Sequence, residues 1–482
     1  MELLAPAGGF SQLEAAIAFG ADAVYLAADR FGMRARATNF SLSDIPRAVE
    51  IAHAQGVSVH VTCNILMSDS DLQILPDYLA ALDAAGVDAL IISDLGALRL
   101  ARQYAPHCEY HVSTQASVSN VQAALAWYEM GARRVVCARE MSLAEIAAMK
   151  AALPADMKVE TFAHGSMCMA VSGRCLISSY LTGRSGNKGH CTQPCRWMYT
   201  LEEEKRPGQH FPIEEDETGT FIMNAQDMNM LAHVHEMQAA GIDSIKIEGR
   251  NKKAFYVATI VNAYRQVLDG ANAADFADEL ETVSHRPYST GFFFGPAHQS
   301  VTSDGYEQTC LHVADIVGCE PVYGAAEAFG AEDAGGEGVG GEAAAPEAAG
   351  GESVGVEGVG ELSAAKAAGG EAAGGEAPGT EAAAAEAPGT EARPTAWRIT
   401  ATCHNRFEQG CELEALVPHI PPVHVTVQQL HWIDQTAAGD PLPRPVEVAN
   451  RAMARYTFLC DTPLEPGGFL CLREHRVTSR YV

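Results

Sequence analysis

The stretch GVDALIIS, residues 86–93, opens on a glycine that closes an alanine-rich amphipathic run and passes straight into apolar, β-type residues. The same order recurs as GADAVYLA from Gly20, GVSVHVT from Gly56, GARRVVC from Gly131 and GIDSIKI from Gly241. Glycine just after a helix accepts the left-handed conformation that ends it, and the apolar run that follows reads as a strand buried on both faces. Each copy predicts a helix-to-strand junction. ELLAPAG, YHVSTQAS and VETFAHG supply three further strands, so eight strands alternate with helices over about the first 280 residues. Capping boxes at Ser11/Glu14, Ser70/Gln73 and Ser142/Glu145 mark helix starts. The fold class is therefore α/β, a (β/α)8 TIM-like barrel over residues 1–283. An open doubly wound sheet is the competing arrangement, but no Gly-x-Gly-x-x-Gly follows the first strand to support it.

From residue 284 the texture changes to short β-branched and aromatic runs such as HVADIVGC, WRITATCHN, VHVTVQQLHW and RYTFLCD, bounded by Gly and Pro. They predict a small all-β domain over 284–324 and 394–482. Between its two parts lies an acidic, low-complexity insert, residues 325–393, in which EAPGTEA occurs twice. So few large apolar side chains cannot offset the entropy of ordering, and the insert is expected to be disordered, a tolerated surface insertion.

The net charge of −28 argues against a polyanionic partner until its distribution is read. The insert holds fourteen acidic and two basic residues, a net of −12, which leaves −16 for the rest. Residues 161–201 contain no Asp or Glu, yet carry Arg174, Arg184, Lys188 and Arg196, a local cationic patch. No basic leader or stretch long enough to span a bilayer is evident, so a cytoplasmic protein with no membrane association is expected. Thirteen cysteines, an odd number in a long chain, speak for reduced thiols rather than a disulfide framework.

Four of those cysteines fall in HGSMCMAVSGRCLISSYLTGRSGNKGHCTQPCRW, residues 164–197, directly after the seventh strand. In a barrel, residues leaving the C-terminal ends of strands line the mouth where active sites form. The spacing Cys168-x6-Cys175-x15-Cys191-x3-Cys195 places four potential metal ligands there. Four thiolates can hold a zinc ion or an iron–sulfur cluster, and the paired Cys-x2-Cys knuckles of zinc ribbons are absent. Excluding carboxylates while keeping arginines suits a negatively charged cluster, and equally an anionic substrate. The other nine cysteines lie in or beside strand patterns and are expected to pack.

Other polar residues converge on the same mouth. IKIEGR ends the eighth strand and presents Lys246 and Glu248 on one side, followed by Arg250. An internal salt bridge, carboxylate binding and proton transfer are the readings open to that pair. Strand five ends in Ser113 and Gln115, the segment after strand two carries Arg34, Arg36 and Asn39, and His164 ends strand seven. GRNKK, residues 249–253, with Tyr180 and Trp197, could form an RNA-binding rim of cations and stacking rings.

The string ETFAHGSMCMAVSGRCLIS, residues 160–178, resembles the signature of the U32 family of collagenase-like peptidases, with Glu160, Phe162, Gly165, Cys168, Gly173, Cys175 and Ser178 at its fixed positions. SSYLTGRSGNKGHCTQPCRW, GTFIMNAQDM, GIDSIKIEGRNKKAFYVA and HRPYSTGFF are further matches, and the likeness extends more weakly into NRFEQGCELEALVP. The resemblance implies an oxygen-independent RNA hydroxylase with a [4Fe-4S] cluster on Cys168, Cys175, Cys191 and Cys195. It is nearest to members that make 5-hydroxyuridine at the tRNA wobble position with prephenate as hydroxyl donor, and an electron donor would complete the partners. On that reading Glu248 and Lys246 are catalytic, while Arg34, Arg36, Gln115, His164, Arg174 and Arg250 bind substrate. Hydroxylation of ribosomal RNA is the alternative within the family. Peptidase activity finds little chemistry here, since neither His-Glu-x-x-His nor Gly-x-Ser-x-Gly occurs. A zinc-stapled RNA-binding scaffold is the non-enzymatic reading.

Overall fold

The computed structural model describes residues 1–33, 39–168, 175–197, 200–202, 210–212, 226–295, 297, 306–323, 394–433 and 443–478. Eight parallel strands form its centre: β1 (Glu2–Pro6), β2 (Ala23–Leu26), β3 (Ser58–Cys63), β4 (Ala89–Ile92), β5 (Glu109–Val112), β6 (Arg134–Val136), β7 (Lys158–Ser166) and β8 (Ser244–Ile247). Neighbours in sequence pair in register, and β8 pairs with both β7 and β1, so the sheet closes into a barrel. The open-sheet alternative is thereby excluded. The five junction glycines all have positive φ, from 72° at Gly56 to 107° at Gly131.

Helices α1 (Phe10–Ala18), α2 (Ile45–His53), α3 (Asp69–Ala84), α4 (Leu95–Tyr104), α5 (Val121–Glu129) and α6 (Leu143–Ala152) follow the first six strands. The box at Ser142/Glu145 forms with both of its hydrogen bonds. Two expected boxes do not. Helix α1 starts at Phe10 behind Gly9, which places Ser11 inside the first turn. Helix α3 is capped by Ser68 with Asp71 as its partner, two residues before the expected pair, because the shorter carboxylate of Asp71 closes the box as well as Glu or Gln.

Strand β7 runs beyond the barrel. Its last residues pair antiparallel with a short strand, Asp227–Asn229. Gly165 makes this possible: at φ 98° its backbone passes so close to strand β8's exit that a Cβ would lie 2.6 Å from the Glu248 carbonyl oxygen. Helices α7 (Ile177–Thr182) and α8 (Val234–Ala239) lie between β7 and β8, and the long α9 (Ala254–Leu268) follows.

An eight-stranded antiparallel sheet completes the described chain. Its strands are β9 (Tyr306–Val322), β10 (Ala396–Cys403), β11 (Glu412–Leu416), β12 (Val423–Thr426), β13 (Gln428–Ile433), β14 (Pro443–Pro445), β15 (Arg455–Cys460) and β16 (Phe469–Thr478). The spatial order is β12-β11-β16-β9-β10-β15-β13-β14. Phe469 packs on Phe255 of α9 and Phe19 after α1, and Asn262 of α9 donates to the Ile420 carbonyl, so sheet and barrel form one compact unit. Thr395 donates its N–H to the Val322 carbonyl at 2.8 Å across the point where residues 324–393 are inserted. The expected disorder of 325–393 lies outside the described residues. Cys310 and Cys471, read from sequence as reduced packing thiols, are instead joined: β9 and β16 bring their Cα atoms to 5.8 Å, within disulfide reach. Among the described residues no helix is long and apolar enough to cross a membrane.

One buried carboxyl works against the fold. Glu279 is 4% exposed and has Asn262 as its hydrogen-bond donor; burial raises its pKa to about 8. An acid raised in the folded state holds a proton that the unfolded chain has already released above about pH 4.3, so its contribution declines as pH climbs from there to 8. Glu279→Gln is expected to stabilise the protein at pH 8.5 by at least about 1.4 kcal/mol and to change little at pH 4, read by urea unfolding.

Candidate active site

At the C-terminal mouth of the barrel a cavity of about 120 Å³ is lined by Cys168, Cys175, Cys191 and Cys195 together with Asn64, Ser113, Gln115, Arg139, Lys246, Glu248 and Arg250. The four thiols and the residues at the ends of β3, β5, β6 and β8 thus meet in one place. His164 does not line this cavity. It is 1% exposed and packs among Tyr256, Tyr264 and Tyr288, where burial holds its pKa down at about 3 and keeps it neutral. Arg34, Arg36 and Arg174 lie outside the described residues. Arg250 is buried, donates to the Met33 carbonyl and reaches Asn39 at 3.4 Å.

The segment bearing the thiols is held by its own polar side chains. Ser178, 1% exposed in α7, donates to the Arg184 carbonyl at 2.7 Å and accepts the Thr192 N–H at 3.1 Å, which ties the start of the segment to the turn before Cys195. The Leu66 N–H donates to the Asn187 carbonyl at 2.8 Å and anchors the turn to the barrel. Gln193, in the left-handed region at φ 57°, points its N–H at Cys191 Sγ at 3.3 Å. Hydrogen bonds of this kind to a ligating sulfur tune an iron–sulfur centre.

The donor set fits such a centre. A four-thiolate zinc, with Zn–S of about 2.3 Å, would draw its sulfurs to roughly 4 Å of one another. Among the described residues, the groups whose ligand atoms converge within 4.8 Å are Cys310–Glu414–Cys471 and His312–Asp315–His404, and the four cavity thiols are not among them. The sulfurs of Cys310 and Cys471 are bonded to each other. Four thiols around one cavity can hold a cluster, in which each thiolate takes a separate iron.

Below the cavity the barrel interior is charged. Lys246, 4% exposed, donates to Glu160 at 3.1 Å, and Arg134 donates to the other oxygen of Glu160 at 2.9 Å and to both oxygens of Glu2. Burial alone would raise the Glu160 carboxyl, but Lys246 and Arg134 beside it hold it down at about 2. Lys246 and Glu248 both face the cavity, as the strand alternation requires, yet they have different partners: Glu248 pairs with Arg139 at 3.6 Å, and a register shift between Lys246 and Ile247 separates the two contacts.

Residues 8–303 match the family model of peptidase family U32, and this span contains the whole cavity. The chain belongs to peptidase family U32. Its U32 region is 39% identical over 315 residues to tRNA hydroxylation protein P1 of Bacillus subtilis, covering 64% of this chain and 72% of that protein. It is 39% identical over 269 residues to the 23S rRNA 5-hydroxycytidine C2501 synthase of Escherichia coli, covering 56% of this chain and 39% of that protein. Over 312 residues it is 33% identical to a collagenase of Porphyromonas gingivalis, covering 61% and 73%.

Two site residues of this U32 protein escaped the sequence reading. Arg139 donates to the Ser166 carbonyl at 2.6 Å, lies over the Phe162 ring at 3.8 Å and faces Glu248. The strand-end rule that found Gln115 applies to it, since it follows β6 by three residues. Asn64, just past β3, donates to Ser113 at 3.0 Å and is found by the same rule. The expected RNA rim is redrawn at one point. Lys252 packs on Tyr256 and donates to the Ser284 carbonyl at 2.6 Å, whereas Tyr180 is 88% and Trp197 41% exposed.

Proposed function

We propose that this chain is an oxygen-independent RNA hydroxylase that forms 5-hydroxyuridine at the wobble position of tRNA, with prephenate as hydroxyl donor and an iron–sulfur cluster on Cys168, Cys175, Cys191 and Cys195. The single observation that carries this reading is the shared cavity: four thiols face Lys246, Glu248, Arg250 and Gln115 across one space. A cluster held by all four thiolates would supply one-electron chemistry. The protein's own residues do the rest. Arg250 and Lys246 offer cations to the carboxylates of a small dianion, Gln115 and Asn64 offer amides to its hydroxyl or carbonyl groups, and Glu248 is placed to hold or return a proton. Leu176, Tyr180 and Trp197, exposed on the thiol segment, give an unstacked base an apolar and aromatic surface.

The names of the relatives support an RNA substrate, and the tRNA hydroxylation protein, matched over 72% of its length, favours tRNA over ribosomal RNA. A cytoplasmic location and a soluble electron donor belong to the same reading, and an RNA substrate supports the first. The test is mass spectrometry of tRNA nucleosides from a deletion strain lacking paralogues, complemented with wild type or with Glu248→Gln. Loss of 5-hydroxyuridine derivatives on deletion and their return only with wild type is expected. Unchanged derivatives on deletion reject the substrate; full rescue by Glu248→Gln removes Glu248 from proton transfer.

A further inference from the structure

Branched apolar side chains ordinarily fill the interior of a barrel of this architecture. Here a ladder of charges, buried except at its lower end, stands directly under the cavity. It runs from Glu2 on β1 through Arg134 on β6 and Glu160 on β7 to Lys246 on β8, and only Lys246 of the four lines the cavity above. Ser244, fully buried one turn of the pleat below Lys246, donates to Glu2 at 2.8 Å and closes the ladder at its lower end.

The other groups facing Lys246 support its charge less than Glu160 does. The Tyr25 ring of β2 lies 4.1 Å from its ammonium and the Phe162 ring of β7 5.8 Å. His60 of β3 and His111 of β5 are in edge contact at 4.7 Å, and burial followed by the nearby cations keeps both neutral, His60 at about 4. Glu248, just past the same strand, also favours the Lys246 charge but less than Glu160, and is itself paired with Arg139. Two carboxylates, Glu2 and Glu160, then face Arg134, and the interior is electrically balanced only when Lys246 carries its proton. Burial works the other way and lowers the Lys246 pKa, with Glu160 the largest opposing influence. A buried ammonium with no carboxylate beside it would shed its proton.

We propose that Glu160 is a positioning residue: it fixes Lys246 at the cavity floor and keeps it a cation, so that Lys246 recognises a carboxylate of a small anionic substrate. Glu160 itself touches no substrate, being fully buried beneath the lysine. This deepens the function proposed above and rests on that cavity being the active site. Arg134 and Glu2 serve as the backing that holds Glu160 in place.

The test reads the lysine directly. The full-length protein, isolated anaerobically, is treated with formaldehyde and dimethylamine–borane across a pH series, and methylation of Lys246 is followed by peptide mass spectrometry in wild type, Glu160→Gln and Glu160→Asp. Methylation in Glu160→Gln at pH 7.5 is expected to be at least about tenfold faster than in wild type, the equivalent of one pKa unit, with Glu160→Asp between them. With active enzyme, the same variants should raise KM for the anionic co-substrate more than they lower kcat. If Glu160→Gln does not fold, Glu160→Asp decides alone, faster labelling supporting the inference. Equal labelling in wild type and variants overturns it and leaves the hydroxylase reading standing. A wild-type enzyme without hydroxylase activity overturns that reading and leaves the labelling result standing.

Discussion

Cys191→Ser is expected, on the proposed function, to yield a folded protein without iron and sulfide and with at least about 100-fold less hydroxylation activity, beyond the 10–100-fold seen when only a ligand's supporting partner is lost. The barrel does not depend on the thiol: Cys191 sits half-exposed on a segment outside the strands and lines the cavity rather than the core. Its sulfur also receives the Gln193 N–H, so an oxygen in its place keeps the local backbone while removing the soft donor that iron prefers. Iron and acid-labile sulfide analysis of anaerobically prepared protein checks the first half, and nucleoside mass spectrometry the second. A variant that retains a full complement of iron would remove Cys191 from the ligand set. A colourless wild-type protein loaded with zinc would remove the cluster altogether.

Arg134→Met is expected to destabilise the barrel by about 3–5 kcal/mol at pH 7, the cost of taking a partner from the buried Glu160 and the part-buried Glu2. Arg134 is 2% exposed and holds both Glu2 and Glu160, each with its pKa held near 2. For Glu2, burial pushes upward, and the hydrogen bond and charge of Arg134, with smaller help from His60 and Ser244, together outweigh it. Carboxylates depressed in the folded state contribute stability that is fully present above their unfolded pKa of about 4.3 and is lost as pH falls toward 2. The deficit of the variant should therefore shrink between about pH 4.3 and 2. Urea unfolding at pH 7 and pH 3 measures it; an equal deficit at both would assign the loss to packing instead of charge.

The barrel was legible because its signal is repeated. Five glycine-to-strand junctions report the same geometry independently, and an error in one leaves four. Helix starts were less so, since Ser68 and Ser70 stand two residues apart at the start of α3 and only the backbone decides that Ser68 caps it while Ser70 falls in the first turn. In the site, the thiols and the Lys246–Glu248 pair announced themselves by residue type. The partner of Lys246 did not: Glu160 lies 86 positions earlier, and only closure of β7 onto β8 brings them together. Period-two alternation placed Lys246 correctly on the inner face but carries no information about which neighbouring strand answers its charge. His164 shows the converse, a residue near a candidate ligand in sequence that the fold turns into a nest of tyrosines.

Strand β9 ends at Val322 and β10 begins at Ala396, with the Thr395 N–H already bonded back to Val322. Because closing a chain between two paired strands costs only logarithmically more as it lengthens, that pairing is nearly indifferent to how many residues connect them. The acidic tract can therefore change in length at little cost to the sheet.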